Sequence, residues 1–535
     1  MRSLVPLAAA AIGLWAGAAA AQTAPTPAPA PVLTGVVLLS EPGQVVAAGW
    51  TQPVDRVDVS RLSPPLRASV QTAVAPFLGR PLTGDTLGGL QAALGAALKA
   101  SDHPFSAAVL PGQQAAGGVV QVLLTEGRLD KVSVKGAKVF DAAQYSGAVT
   151  AKPGQPIDKA VLDRDLAWIN RNPFRQATAV AAPGGPFGAV DLTIETREKR
   201  PWSVSASLDD TGTDLTDPLR VGLSATWGDA FGRGDILSYQ LSASPDFDKT
   251  VGHALSLQSF LPWRHVLTAS ASYATVNGDL PAPFTMEGYN SSASLGYQVP
   301  LRNNQTIEFA TVFRRSNNNF RFSDFPISDN TADVVTFGVG WTGQFEDARG
   351  GTSLSANLAV SPGGLTGDSD KADYQKIRSG ADARFAVLRL SLDRQTRLPR
   401  QWSLRTSLRG QLASSALLGS EQMAFGGVSS IRGYDEGALY GDQGALMRNE
   451  LSPPPIMLDG NGRTFSPYLF WDAGWLTNRS RLAGDPKSLT LQAVGAGFNL
   501  TLTSRVSARG AWGFPVGEQP GHPSGRGHFG LVVTF

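Results

Sequence analysis

From Trp202 to the carboxy terminus, apolar and polar side chains alternate, and the alternation continues for about 335 residues. Leu237, Tyr239, Leu241 and Ala243 are interleaved with Ser238, Gln240 and Ser242. Leu267, Ala269, Ala271 and Tyr273 are interleaved with Thr268, Ser270 and Ser272. Leu388, Leu390 and Leu392 alternate with Arg389, Ser391 and Asp393, and Trp402, Leu404 and Leu408 oppose Arg405 and Arg409. Successive side chains of a strand point to opposite faces, so each segment has one apolar and one polar side. A soluble sandwich has such strands too, but a stretch this long exceeds one ordinary sandwich. Connections also alternate short and long, as in outer-membrane barrels. Short ones include 230–234, 261–265 and 346–350; long ones include 317–331, 361–373 and 417–443.

The alternating segments number sixteen: 201–209, 219–228, 234–245, 249–259, 264–276, 286–299, 304–317, 332–346, 351–360, 374–394, 401–416, 444–453, 464–476, 488–500, 502–512 and 526–535. An even count leaves both ends of the barrel region on one side of a membrane. The last segment carries Phe529, Leu531, Val533 and Phe535 on one face, with Phe535 as its final residue. A terminal aromatic on an amphipathic strand is what bacterial outer-membrane barrels present to the barrel-assembly machinery during biogenesis.

The first 200 residues have another texture. Met1–Ala21 reads as a secretory signal, with Arg2 before an apolar run and an A-x-A site at Ala19–Ala21. Thr23–Pro31 is a proline-alanine linker, and 22–53 as a whole is read as an amino-terminal linker in which the run VLTGVVLL (32–39) is more strand-like than helical. From 54 to 197 a pattern recurs at 70 to 72 residues, with Pro111 matching Pro183 and Gly118 matching Gly188. Helical stripes fall at Leu66, Val70, Val74 and Phe77, at Leu87, Leu90, Leu94 and Leu98, and at Ile157, Val161, Leu166 and Ile169. Strands at 54–59 and 129–134 open the two copies. The order β-α-α-β-β in each gives two small α+β domains, at 54–126 and 127–198.

Net charge is +2 over 535 residues, so no long-range field argues for nucleic acid. The absence of cysteine removes thiolate metal and redox sites. Gly338–Gly343 matches GxGxxG but lies inside an alternating strand with no helix after it, so it is not a dinucleotide site. The five histidines show no metal-ligand spacing, and the loop carboxylates Asp209, Asp210, Asp368, Asp370 and Asp373 read as solvated. Neither a cofactor, a metal nor catalytic chemistry is indicated.

One glycine-framed stretch, Ser429–Asp442, carries Ile431, Arg432, Gly433 and Tyr434 after Phe425, Gly426 and Gly427. It is followed by Gly441, Asp442, Gln443 and Gly444, then by Asn449, Glu450 and Leu451. A second motif stands at Phe470, Trp471, Asp472, Ala473 and Gly474, and the junction before the first barrel segment is Arg200, Pro201 and Trp202. In order and spacing this resembles the two-partner secretion transporters of the bacterial outer membrane (TpsB proteins), within the superfamily of barrel-assembly proteins. The resemblance covers roughly 54–535.

The resemblance implies two periplasmic POTRA domains followed by a 16-stranded antiparallel transmembrane β-barrel at 199–535. It implies a loop at 417–443 that folds into the lumen, with Arg432 meeting Asp472 on the wall. Ile431, Gly433 and Tyr434 belong to the loop motif, and Phe470 and Gly474 to the wall motif. Gly426, Gly427, Gly441, Asp442 and Gly444 support the loop.

It further implies a monomeric pore in outer-membrane lipid of a Gram-negative bacterium, secreting a TpsA-type exoprotein of the haemolysin or adhesin type that its POTRA domains capture. The family commonly has an amino-terminal plug helix, whereas 22–53 is proline-rich and shows no convincing amphipathic helix. A barrel-assembly factor of the same superfamily remains as an alternative, though such factors usually carry three or more POTRA domains. So does a porin-like channel, which needs neither the tandem domains nor the loop.

Overall fold

The computed structural model describes residues 31–535 apart from 61–63, 101–104, 126, 186–187, 303, 324, 461, 483–484 and 518–524. The expected signal segment, Met1–Ala21, lies outside the described residues. Two small α+β domains precede a closed barrel.

The first domain holds β1 (Gly35–Leu39), β2 (Val57–Asp58), α1 (Pro64–Val74), α2 (Gly84–Ala100), β3 (Ala107–Val109) and β4 (Val119–Thr125). Its sheet has the order β2-β1-β4-β3. Residues 35–39 were expected to be linker, yet every residue of GVVLL is buried and β1 is an inner strand. It pairs in parallel with β4, Val36 opposite Val120 and Leu38 opposite Val122. An uninterrupted apolar run of this length suits a strand covered on both faces. The expected opening strand at 54–59 shrinks to the two-residue edge strand β2. The core joins Val36, Leu38, Val120 and Val122 to Val70 and Val74 of α1 and to Leu90, Leu94 and Leu98 of α2.

The second domain holds β5 (Arg128–Lys135), α3 (Ala142–Ser146), α4 (Lys159–Ile169), β6 (Arg175–Pro183) and β7 (Ala189–Glu198), with sheet order β5-β7-β6. With β1 taken as the opening strand, both domains share the sequence β-α-α-β-β and place the last strand between the other two.

The barrel begins with β8 (Trp202–Asp209), β9 (Arg220–Ala230), β10 (Asp235–Ala243), β11 (Thr250–Phe260), β12 (Val266–Gly278) and β13 (Phe284–Pro300). It continues with β14 (Gln305–Phe322), β15 (Phe325–Asp347), β16 (Gly350–Ser361), β17 (Phe385–Arg397) and β18 (Ser403–Ala413). A short hairpin of β19 (Met423–Phe425) and β20 (Leu439–Gly441) lies in the following loop. Then come β21 (Gln443–Ser452), the two-residue β22 (Ile456–Met457), β23 (Thr464–Thr477), β24 (Leu489–Thr501), β25 (Val506–Pro515) and β26 (Arg526–Thr534). Leaving out β22, sixteen long strands form the wall, and β26 pairs antiparallel with β8 to close it.

Two expected boundaries move. The long connection at 317–331 is mostly strand, because β14 and β15 continue to a tight turn after Phe322. The strand expected from 374 starts at Phe385, because Lys371–Ile377 forms a helix, α5, behind a capping box of Asp370 and Asp373.

Register shows what each face meets. Phe309, Val339 and Leu358 stand side by side on three neighbouring strands and are each about half exposed. An apolar row left uncovered on a closed barrel faces lipid. On the opposite face Ser270 bonds Ser294 at 2.7 Å, Ser272 bonds Ser292 at 2.8 Å, and Ser355 bonds Ser391 at 2.7 Å. Arg389, Arg405 and Arg409 share the face of Ser391. Among the described residues no helix is long and apolar enough to cross a membrane.

Candidate functional site: a loop latched to the barrel wall

Between β18 and β21 the chain makes a long excursion, residues 414–442, that contacts widely separated strands. Glu421 pairs with Arg314 of β14 at 2.5 Å and Arg389 of β17 at 2.8 Å. Phe425, Ile431 and Tyr434 pack with Leu446, Leu476, Leu491 and Ala493 of β21, β23 and β24. A segment touching both parts of a closed wall lies in its lumen.

The largest fully buried side chain among the described residues is a cation, Arg432, at 1% exposure. Its Nε donates to Asp472 Oδ2 at 2.7 Å and its Nη2 to Asp472 Oδ1 at 2.8 Å, a bidentate fork. Nη1 donates to Glu450 Oε1 at 2.6 Å, and the Arg432 backbone N–H reaches Asp472 Oδ2 at 3.2 Å. The guanidinium lies 3.7 Å from the centre of the Phe470 ring and 5.5 Å from that of Tyr468. Asp472 is fully buried. A buried ion pair offsets its desolvation only with such additional partners.

Backbone geometry explains the glycine. Gly433 has φ +91°, and a Cβ there would come within 2.8 Å of the Gly513 backbone on β25. Loop and wall therefore touch backbone to backbone. The Gly433 N–H donates to His528 Nε2 at 3.2 Å, which leaves Nδ1 as the donor to Asp210 Oδ2 at 2.8 Å. Asp210 was expected to be a solvated loop carboxylate. It is instead buried, and it also accepts from the Phe529 N–H at 2.9 Å.

The remaining sequence-derived residues fall as follows. Ile431 packs at Gly474, where a Cβ would meet its Cδ1 at 2.6 Å. Tyr434 donates its hydroxyl to the Gln492 carbonyl at 3.1 Å. Gly426 and Gly427 turn the chain in the left-handed region, while Gly441 and Gly444 lie against Leu476 and Phe425. Asp442 ends the loop and accepts five hydrogen bonds, from Arg378 (two), Leu417, Gln422 and Arg479. Phe535 is exposed, its N–H donating to the Val204 carbonyl at 2.8 Å.

Sequence reasoning gave no site role to Glu450, Arg448, His528 or Glu421. Arg448 stands opposite Asp472 in register, its Nε 3.8 Å from Asp472 Oδ1. The available signal was the charged face of β21, Arg448 and Glu450, against the apolar Met447 and Leu451. Nothing in the sequence marked His528, whose partners are 95 and 318 residues away.

The sequence profile of the haemolysin secretion/activation proteins ShlB/FhaC/HecB matches residues 188–501, more than half the chain. The outer membrane transporter CdiB of Dickeya dadantii is 27% identical over 77% of this chain and 73% of its own length. The heme/hemopexin transporter protein HuxB of Haemophilus influenzae is 23% identical over 79% of this chain and 76% of its own. Among solved structures, CdiB from Escherichia coli superposes with a TM-score of 0.71 at 20% identity, over 97% of this chain and 93% of its own. That likeness is one of fold.

Proposed function

The chain belongs to the haemolysin secretion/activation family (ShlB/FhaC/HecB), and from that membership we propose that it is an outer-membrane pore exporting a partner exoprotein to the cell surface. The observation that carries this reading is the loop held inside a closed barrel through Arg432, Asp472 and Glu450. A diffusion channel needs no such latch. A transporter for an unfolded chain needs a seal at rest and a means of yielding it.

The amino-terminal domains lie on the periplasmic side and receive the cargo. Sheet-edge addition suits an extended polypeptide, and β6 ends the sheet of the second domain with most of its residues partly or fully exposed. The cargo then passes the lumen extended, along walls of serine, threonine and arginine. No catalytic step is assigned to the protein. Folding of the cargo outside makes its return unfavourable and supplies the direction. The pore acts as a monomer in this reading, which the closure of the barrel within one chain supports.

Export is tested by Arg432→Ala in a host that makes the cargo. The variant barrel should reach the outer membrane in normal amount while secretion falls. Secretion at the wild-type level would remove the latch from the mechanism.

A further inference from the structure

The loop has a second anchor at its base, and the group that holds it comes from a different loop. Asp442, where the chain leaves the lumen, is fully buried. Its carboxylate accepts from the Leu417 N–H at 3.0 Å, near where the chain enters, so one side chain ties both ends of the loop. Arg378 completes the tie. It donates to Asp442 Oδ1 at 2.5 Å, Asp442 Oδ2 at 3.1 Å and the Leu417 carbonyl at 2.5 Å.

Arg378 follows α5 in the connection 362–384, which seats itself independently. Tyr374 is buried and donates to the Asp333 carbonyl at 2.9 Å. Tyr374, Ala381 and Ala383 share one apolar cluster with Leu417 and Leu418 of the latched loop. Ala381 and Ala416 form a parallel bridge, and the Asp382 N–H donates to the Ala416 carbonyl at 3.2 Å. The segment has left-handed glycines at both ends, Gly363 and Gly364 at φ +65° and +66° and Gly380 at φ +78°. The Arg378 side chain is 22% exposed, whereas Arg432 is 1% exposed. The outer tie therefore faces more solvent screening than the inner one.

We propose that Arg378 is a positioning residue of the pore: through Asp442 the segment 362–384 clasps the base of the lumenal loop and shuts the outer exit, and opening requires this clasp to part while the Arg432–Asp472 latch holds. The inference rests on the export reading for its purpose, but its test does not need the cargo.

The full-length protein is reconstituted in planar bilayers and its potassium chloride current recorded. Arg378→Ala should raise the time spent in conducting states at least about tenfold, as expected when a buried carboxylate loses its ion partner. The chain has no cysteine, so A381C/A416C adds the only thiols, and directly bridged positions suit a disulfide. In the R378A/A381C/A416C variant, oxidation by copper phenanthroline should restore the closed level, and dithiothreitol should reopen it. A wild-type current in Arg378→Ala, or a triple variant that stays open when oxidised, overturns the clasp. If Arg378→Ala fails to fold, A381C/A416C alone decides. Its oxidised form should lose the residual openings and regain them on reduction, and openings unchanged by oxidation refute the proposal. Normal export with wild-type currents in the variants would sink the clasp alone. Clasp behaviour without any exported protein would sink the export reading alone.

Discussion

Replacing Arg432 by alanine removes three side-chain hydrogen bonds to two carboxylates and a guanidinium stacked on Phe470. It leaves the fully buried Asp472 with Arg448, 3.8 Å away, as its remaining ion partner. Breaking a buried pair in this way costs about 3–5 kcal/mol. Because Arg448 already stands 3.8 Å from Asp472, the loss should lie at the low end, about 3 kcal/mol. The cost falls on the loop and not on the barrel, whose strand ladders do not pass through Arg432. Local opening of residues 426–437 should therefore increase about a hundredfold, since each 1.4 kcal/mol is about tenfold. Hydrogen exchange of the purified protein in micelles reads this directly. Peptides from 425–441 should lose protection by that factor, while peptides from β12 to β14 keep theirs. Equal protection of the loop in both proteins would refute the reasoning. So would uniform loss across the barrel, because the pair would then support the wall and not the loop.

Further outcomes follow from single contacts. Gly433→Ala keeps every charge but forces a methyl against the Gly513 backbone, so the loop should become sensitive to added protease with Arg432 intact. His528→Ala leaves the buried Gly433 N–H unpaired, costing about 1–3 kcal/mol, while Asp210 keeps the Phe529 N–H, so loop exchange should rise less than in Arg432→Ala. In the second small domain burial acts to raise the Glu198 carboxyl, but the Tyr145 hydroxyl and the N–H groups of Lys138, Val139 and Phe140 outweigh it and hold the carboxyl below its usual range. The stability this gives is full above the ordinary carboxylate value, about 4.3, and is lost as pH falls through the lowered one. Acid should therefore loosen residues 138–146 in wild-type protein but not in Glu198→Gln, as measured by pulsed exchange corrected for intrinsic rates.

The barrel was legible because period-two alternation is a local property, and it survives wherever one face meets lipid and the other water. The pattern stopped being informative where a strand leaves the membrane. Past Arg315 the alternation of β14 gives way to the polar run Ser316–Asn319, so the segment read as a loop. The run holding β1 reads as strand-like, yet it was assigned to the linker and not to the first domain for a different reason. A strand buried on both faces has no alternation, and the proline-rich stretch before it coloured the whole segment as linker. Arg432 and Asp472 could be named from their motifs. Glu450 stood in a motif without a role, and His528, Glu421 and Arg378 could not be named, because all four acquire partners only through closure of the barrel and the docking of separate loops. Asp442 shows the difference well. Its motif marked it as support for the loop, yet no sequence spacing announces that Arg378, 64 positions earlier, is its counter-ion.

Dedicated export makes one demand that a single comparison can meet. Proteins at the surface and in the medium of the native bacterium are measured with the gene intact and with it deleted, alongside the outer-membrane proteome. Export of a dedicated partner predicts that one exoprotein, or a small set, disappears from outside while other barrels keep their levels. A general fall in outer-membrane barrels, or no change outside the cell, would contradict it.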